Sequence, residues 1–201
     1  MTITTKRPVS AVLIGIVCSA AIISGCSSTT KSSASPADSP SPTDASAASN
    51  CPTATATGTG TAEWTLNGAT GSVAVTGSTS TTAPRVDVTT PFTVSETQVH
   101  TLVAGQGPEV TPTASVSVCY MGVNGRDGSV FDSSYQRGVP VQFQLDGVVP
   151  GFQKAIAGQH VGSTVAVAMT SADGYPQGQP QAGIKPGDTL VFAIKILDAK
   201  P

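Results

Sequence analysis

Ser115-Val116-Ser117-Val118-Cys119-Tyr120-Met121-Gly122 is the run on which the fold turns. Apolar and polar residues alternate there with period two. Val116, Val118 and Tyr120 therefore share an inward strand face, and Ser115, Ser117 and Cys119 share the opposite one. The same alternation recurs downstream in Phe143 and Leu145, in Val165, Val167 and Met169, and in Leu190, Phe192, Ile194 and Ile196. One stretch breaks it. Pro150 suits a first helical position, Gly158 suits the far end, and Phe152, Ala155 and Ile156 between them fall on one face at helical spacing. Strands interrupted by a single short helix predict an α+β fold in which an antiparallel β-sheet wraps around that helix.

Working upstream, Val99 to Val103 alternate again, and Gly105, Gly107 and Pro108 make a turn. Trp64, Leu66, Val73, Val75, Val86 and Val88, bounded by Asn67-Gly68 and Gly71, predict a hairpin and a further strand, an accessory β segment over 63–94. Residues 27–62 hold no Val, Leu, Ile, Met or aromatic residue. Such a stretch cannot bury enough apolar surface to offset its ordering entropy, so 26–62 is expected to be a disordered Ser/Thr/Ala/Pro tether. Ahead of it, Lys6 and Arg7 precede the almost wholly apolar run Ala11 to Ile23. A helix of that length rises about 20 Å, short of the roughly 30 Å hydrocarbon core, so a secretory signal over 1–25 fits better than a permanent span. Ile23-Ser24-Gly25-Cys26 resembles a bacterial lipobox, in which cleavage before the cysteine accompanies lipid attachment to its sulfur. An ordinary secretory signal that contains a cysteine and an uncleaved anchor are the competing readings.

Composition narrows the function. Lys and Arg number 10 against 12 acids, so no strong basic field exists to hold nucleic acid. Charged residues are only 11% of the chain, which argues against a long surface-charged helix or coiled coil. His100, His160 and four scattered cysteines offer no zinc-type cluster, so no metal is expected.

The ordered motifs carry a family resemblance. Val118-Cys119-Tyr120-Met121-Gly122, Asp127-Gly128, Phe131-Asp132-Ser133-Ser134, Arg137-Gly138-Val139-Pro140, Val148-Val149-Pro150-Gly151-Phe152, Val161-Gly162, Gly174-Tyr175, Ile184, Pro186-Gly187 and Thr189-Leu190-Val191-Phe192 together resemble the FK506-binding-protein (FKBP) type of peptidyl-prolyl cis-trans isomerase. The match runs through a domain of about 95–200. The resemblance implies a proline pocket walled and floored by Tyr120, Phe131, Val149, Phe152 and Phe192, with Phe143 also at the substrate. It implies that the Tyr175 hydroxyl donates to a substrate carbonyl. It sets Asp132 beside Tyr120 and Arg137, backbone groups of Val148 and Val149 beside the peptide, and Ile184 in a loop that closes over the site. Rotation about an X-Pro bond breaks no bond and moves no proton, so neither cofactor nor nucleophile is called for. Implied partners are proline-containing unfolded or exported polypeptides, the membrane through a lipidated Cys26, and macrolide inhibitors, at the outer face of the cell membrane.

Departures from the family pattern keep a second reading open: a non-catalytic or weakly catalytic chaperone or peptide-binding module on the same fold. Val141 stands where an aromatic is common, Phe152 where many members carry tryptophan, Gly147 where an acid is common, and Pro176 where glycine is usual. Cys51 and Cys119 remain after the proposed processing. Alternation sets Cys119 opposite Tyr120, where an N-terminal segment crossing the outer face would bring Cys51 to it. A bridge would contribute at most about 4 kcal/mol in the chain-entropy view. Two unpaired thiols are the alternative.

Overall fold

The structure is a computed structural model and describes residues 50–57 and 60–201. The expected signal peptide, the lipobox cysteine Cys26 and most of the tether lie outside the described residues. Strands β1 (Trp64–Asn67), β2 (Thr70–Thr76) and β3 (Arg85–Thr93) form a three-stranded antiparallel sheet in that order. Strands β4 (Gln98–Val103), β5 (Ser115–Asn124), β6 (Val130–Ser133), β7 (Val141–Gln144), β8 (Thr164–Met169) and β9 (Leu190–Lys200) form a second sheet, ordered β4-β8-β9-β5-β6, with β7 also paired to β5. Among the described residues two α-helices interrupt it, the single turn α1 (Ser134–Arg137) and α2 (Pro150–Ile156), besides short 3-10 turns. The predicted helix is thus α2, and the turn α1 is a second one that the apolar pattern does not reveal.

Seven residues cannot hold a helix alone in water, because nucleation is costly. Packing holds α2. Phe152, Ala155 and Ile156 are buried against Val116 and Val118 of β5, Val165, Val167 and Met169 of β8, and Leu190, Phe192, Ile194 and Ile196 of β9. Each aliphatic side chain so buried contributes about 1.5–3 kcal/mol. Pro150 opens the helix at a position whose missing N–H costs nothing, and the chain leaves at Ala157 before Gly158, whose φ is +78°.

Strands β8 and β9, at the centre of the larger sheet, are buried on both faces. On the side away from α2, Ala166, Ala168, Val191 and Ala193 pack against Val73, Val75 and Phe92 of the smaller sheet, flanked by Trp64, Leu66, Val86 and Val88. Alanines at alternate positions keep this face shallow enough for a second sheet to lie on it, and every residue of β8 is buried as a result. The alternation in β4 runs opposite to a core strand: Val99 and Val103 are 38% and 49% exposed. Val99 sits opposite Val167, on the helix side of an edge strand where the short α2 gives little cover. His100 faces the other way and stacks on Trp64, with ring centroids 5.7 Å apart.

Part of the span read as a free tether is bonded into the fold. Cys51 is buried, its N–H donates to Gly138 O at 3.2 Å, and Ala54 O accepts from Ala83 N–H at 2.8 Å. The sulfurs of Cys51 and Cys119 lie at bonding distance, with their Cα atoms 5.7 Å apart. They share a small core with Ala83 and Tyr135, whose hydroxyl donates to Ser78 Oγ at 2.8 Å. Burial pushes the Tyr135 phenol up to about 12.

Phe92 is fully buried between the two sheets. Phe92→Ala is expected to cost about 3–5 kcal/mol of unfolding free energy in urea, with one cooperative transition. A loss below about 1 kcal/mol would mean that the smaller sheet folds apart from the larger one.

Candidate functional site

Beyond Tyr120, the helix-side face of β5 carries no side chain of its own. The next residue on that face is Gly122, which pairs with Phe192 of β9. A Cβ there would meet the Phe131 ring at 2.6 Å and the Phe192 ring at 2.8 Å. Glycine therefore lets two aromatic rings draw back onto the strand itself, which leaves room in front of them. A cavity of about 410 Å³ results. Tyr120 of β5, Phe131 and Asp132 of β6, Phe143 of β7, Phe152 of α2 and Phe192 of β9 line it. Gly147, Val148 and Val149, in the turn before α2, and Tyr175, in the loop between β8 and β9, complete it.

The rings meet edge to face. Phe152 lies at 5.2 Å and 83° from Phe192, 5.3 Å and 69° from Phe143, and 5.8 Å and 85° from Tyr120. Phe131 and Phe192 make a further pair at 5.5 Å and 88°. Such pairs contribute about 0.5–1.5 kcal/mol each beyond area burial, and their near-perpendicular planes make walls and a floor where parallel stacking would close the space.

The rim is a charge cluster. The Tyr120 hydroxyl donates to one Asp132 oxygen, and Arg137 Nη1, from the end of α1, donates to the other. Arg137 Nη2 stands 3.4 Å from the Tyr120 hydroxyl. Burial, and then the bond to Asp132, pushes the Tyr120 phenol up to about 12. Burial would raise Asp132, but the bonds from Tyr120 and Arg137 outweigh it and hold this carboxyl below the usual range. The bond to Asp132 raises Arg137. At neutral pH the cluster is therefore phenol, carboxylate and guanidinium, with no proton to exchange. The Asp132 and Arg137 side chains are 38% and 46% exposed, so their pairing adds little to stability and acts mainly on orientation.

Among the described residues, some donors at the cavity have no acceptor. Among the described residues nothing accepts a hydrogen bond from the Val149 N–H, while its carbonyl caps α2 through Phe152 and Gln153. Among the described residues the Tyr175 hydroxyl also has no partner, while its carbonyl accepts from Ser171 Oγ at 3.2 Å and Gly178 N at 2.9 Å. The loop that carries Tyr175 is tied down at its far end by Asp188, which is buried and accepts from Asn124 Nδ2 at 2.7 Å, Lys185 N at 2.8 Å and Arg126 Nε at 3.2 Å.

Of the expected site residues, Ile184 stands apart. It is 2% exposed, packs in the main core and does not line the cavity, because paired hydrogen bonds with Gln179 turn it inward. Arg137 reaches the site only through Asp132 and Tyr120. Val141 does not line the cavity either, so its small side chain thins no wall; Phe143 supplies the ring from that strand. Gly122 and Gly151 were not assigned roles, although a glycine among strand residues signals close approach of a neighbouring group. Gly151 admits Met169, which would lie 2.9 Å from a Cβ there.

Residues 107–197 match the family described as FKBP-type peptidyl-prolyl cis-trans isomerase. A probable FKBP-type peptidyl-prolyl cis-trans isomerase of Haemophilus influenzae is 37% identical over 98 residues, 49% of this chain and 40% of that protein. A probable FK506-binding protein of Corynebacterium glutamicum is 35% identical over 102 residues, 50% of this chain and 85% of that protein. The crystal structure of FkpA from Escherichia coli is similar with a TM-score of 0.48 and 35% identity, over 52% of this chain and 48% of that one. The chain thus spans less than half the length of the first of these relatives and most of the second.

Gly122→Ala should drive the Phe131 and Phe192 rings away from β5 and shrink the cavity. The expected cost is about 1–3 kcal/mol of stability. A variant crystal structure with both rings unmoved would contradict the role given to this glycine.

Proposed function

This chain belongs to the FKBP-type peptidyl-prolyl cis-trans isomerase family, and we propose that its cavity speeds rotation about X-Pro bonds in exported polypeptides. The ring-walled cavity, with the Val149 N–H and the Tyr175 hydroxyl unengaged among the described residues, carries this reading. Amide resonance opposes rotation with a barrier of about 18–20 kcal/mol. The twisted amide has lost that resonance, so its C–N bond is less polar than that of the planar ground state. A dry aromatic cup that seats the prolyl ring against Phe152 favours the less polar twisted form, which is differential binding of the transition state.

The remaining groups orient the chain. The Val149 N–H and the Tyr175 hydroxyl donate to carbonyls flanking the proline and hold the peptide while one side of the bond turns. Asp132, fixed by Tyr120 and Arg137, keeps the Tyr120 ring upright in the wall. Phe131, Phe143, Phe192 and Val148 exclude water. A macrolide that fills the same cup would compete with the peptide. The second reading, a binding module without useful catalysis, loses one of its supports, since Val141 lies outside the cavity.

We further propose export, with lipid attachment at Cys26 anchoring the protein outside the cell membrane. There an oxidising environment would keep Cys51 and Cys119 bridged. The domain division proposed here is a tether, an accessory β segment over 63–94 and an isomerase domain over 95–200.

A protease-coupled assay with an X-Pro peptide is expected to show a rate above the uncatalysed background. Tyr175→Phe should lower kcat/KM by about 2–10-fold, the worth of one hydrogen bond. A folded chain with no rate above background would reject the activity. Intact mass of the protein isolated from membranes tests the rest. The expected species starts at Cys26, carries the added mass of acyl chains, and gains two alkyl groups at Cys51 and Cys119 only after reduction. Two thiols alkylated without reduction would end the bridge, and an unmodified Cys26 would end the anchor.

A further inference from the structure

The loop between β8 and β9 begins with a knot of polar contacts that the reaction as described does not use. Asp173 lies two residues before Tyr175. Its Oδ1 and Oδ2 accept from Lys154 Nζ at 2.9 and 2.8 Å, and Oδ2 also accepts from Thr97 Oγ1 at 2.5 Å. Thr97 Oγ1 in turn accepts from Thr170 N–H at 3.3 Å, and Thr170 Oγ1 accepts from Asp173 N–H at 3.4 Å. One carboxylate therefore joins three pieces of chain: the helix α2 that carries Phe152, the segment entering β4, and the turn that leads into Tyr175.

Stability does not explain this arrangement. The Lys154 and Asp173 side chains are 56% and 22% exposed, and ion pairs in that setting contribute little to folding. Geometry does. Lys154 sits two residues after Phe152 on a helix held rigidly in the core, so a bond from Lys154 to Asp173 fixes the start of the loop relative to the cavity floor. Tyr175 follows within two residues, with its carbonyl pinned by Ser171 and Gly178 and its hydroxyl without a partner among the described residues. We infer that Asp173 is a positioning residue, which through Lys154 and Thr97 holds the Tyr175 hydroxyl over the cavity. The catalytic consequence rests on the isomerase reading above; the placement of the ring does not.

The chain holds three tyrosines, at 120, 135 and 175, which makes the test direct. Full-length protein labelled with 3-fluorotyrosine should give one fluorine resonance for each, and Tyr175→Phe assigns the third. In Asp173→Ala the Tyr175 resonance is expected to shift or broaden while those of Tyr120 and Tyr135 hold. With an X-Pro peptide, Asp173→Ala should lower kcat/KM by about fivefold in the parent. On the Tyr175→Phe background the same change should alter it by no more than about twofold, since the group being positioned is gone. Lys154→Met and Thr97→Val, both at positions open to solvent or half-buried, should each move the Tyr175 resonance in the same direction and serve if Asp173→Ala fails to fold. Equal losses on both backgrounds, an unmoved Tyr175 resonance, or a shift of all three resonances would overturn the inference. Should the parent itself show no isomerase rate, the functional reading falls, and the fluorine spectra still decide whether Asp173 places the ring.

Discussion

A protein interior closes up unless something prevents it, and here the prevention is Gly122. Packed cores approach the density of organic crystals, and the helix-side face of β5 obeys that rule at Val116 and Val118. Two positions past Tyr120 the side chain disappears, and the Phe131 and Phe192 rings press against bare backbone. Held there edge to face, those rings and Phe152 cannot rotate into the vacant space without losing their partners. The open cup depends on one missing Cβ and on several rings too tightly paired to fill the gap.

Rigidity around the cup comes from burial of β8 and β9 on both faces. β8 and β9 send branched and aromatic residues toward α2 and mostly small ones, Ala166, Ala168 and Ala193, toward the smaller sheet. Six of the cavity's lining side chains stand on strands or on α2, so the apolar part of the site is set by elements that cannot move independently. Polar adjustment is confined to the rim, where Asp132 and Arg137 are partly open to water, and to the loop bearing Tyr175. A reaction that needs a shaped apolar surface and very few directed hydrogen bonds fits that division.

Much of this was legible in the chain. Period-two alternation located β5, β8 and β9, the Pro150 to Gly158 stretch located α2, and the ordered motifs named nearly every residue that the structure brings to the cavity. What escaped did so for physical reasons. Alanine reads as neutral, so the second buried face of β8 gives no periodic signal. The valines of β4 alternate as core residues do, yet their place on an edge strand leaves Val99 and Val103 exposed. Tyr135 sits in a polar run, Ser133-Ser134-Tyr135-Gln136-Arg137, and is buried by chain that comes from residues 51 and 78–83. The family resemblance implied a lid residue at Ile184, but its backbone pairing with Gln179 turns it into the core.

The contacts hardest to read in sequence are those that join the loop to the rest. Asp173 meets Thr97 across 76 positions, and Asp188 meets Asn124 across 64. No local pattern encodes either pair, because the alignment of distant strands brings each carboxylate to its donor. They nonetheless divide the work differently. Asp188 is buried and fully engaged, so losing its charge would strand Asn124 and Arg126 and loosen the fold. Asp173 is partly open and bonded to a lysine exposed to solvent, so its loss would leave the core intact and change only where the loop begins. The same residue type, at two ends of one loop, thus secures the structure at one end and aims a side chain at the other.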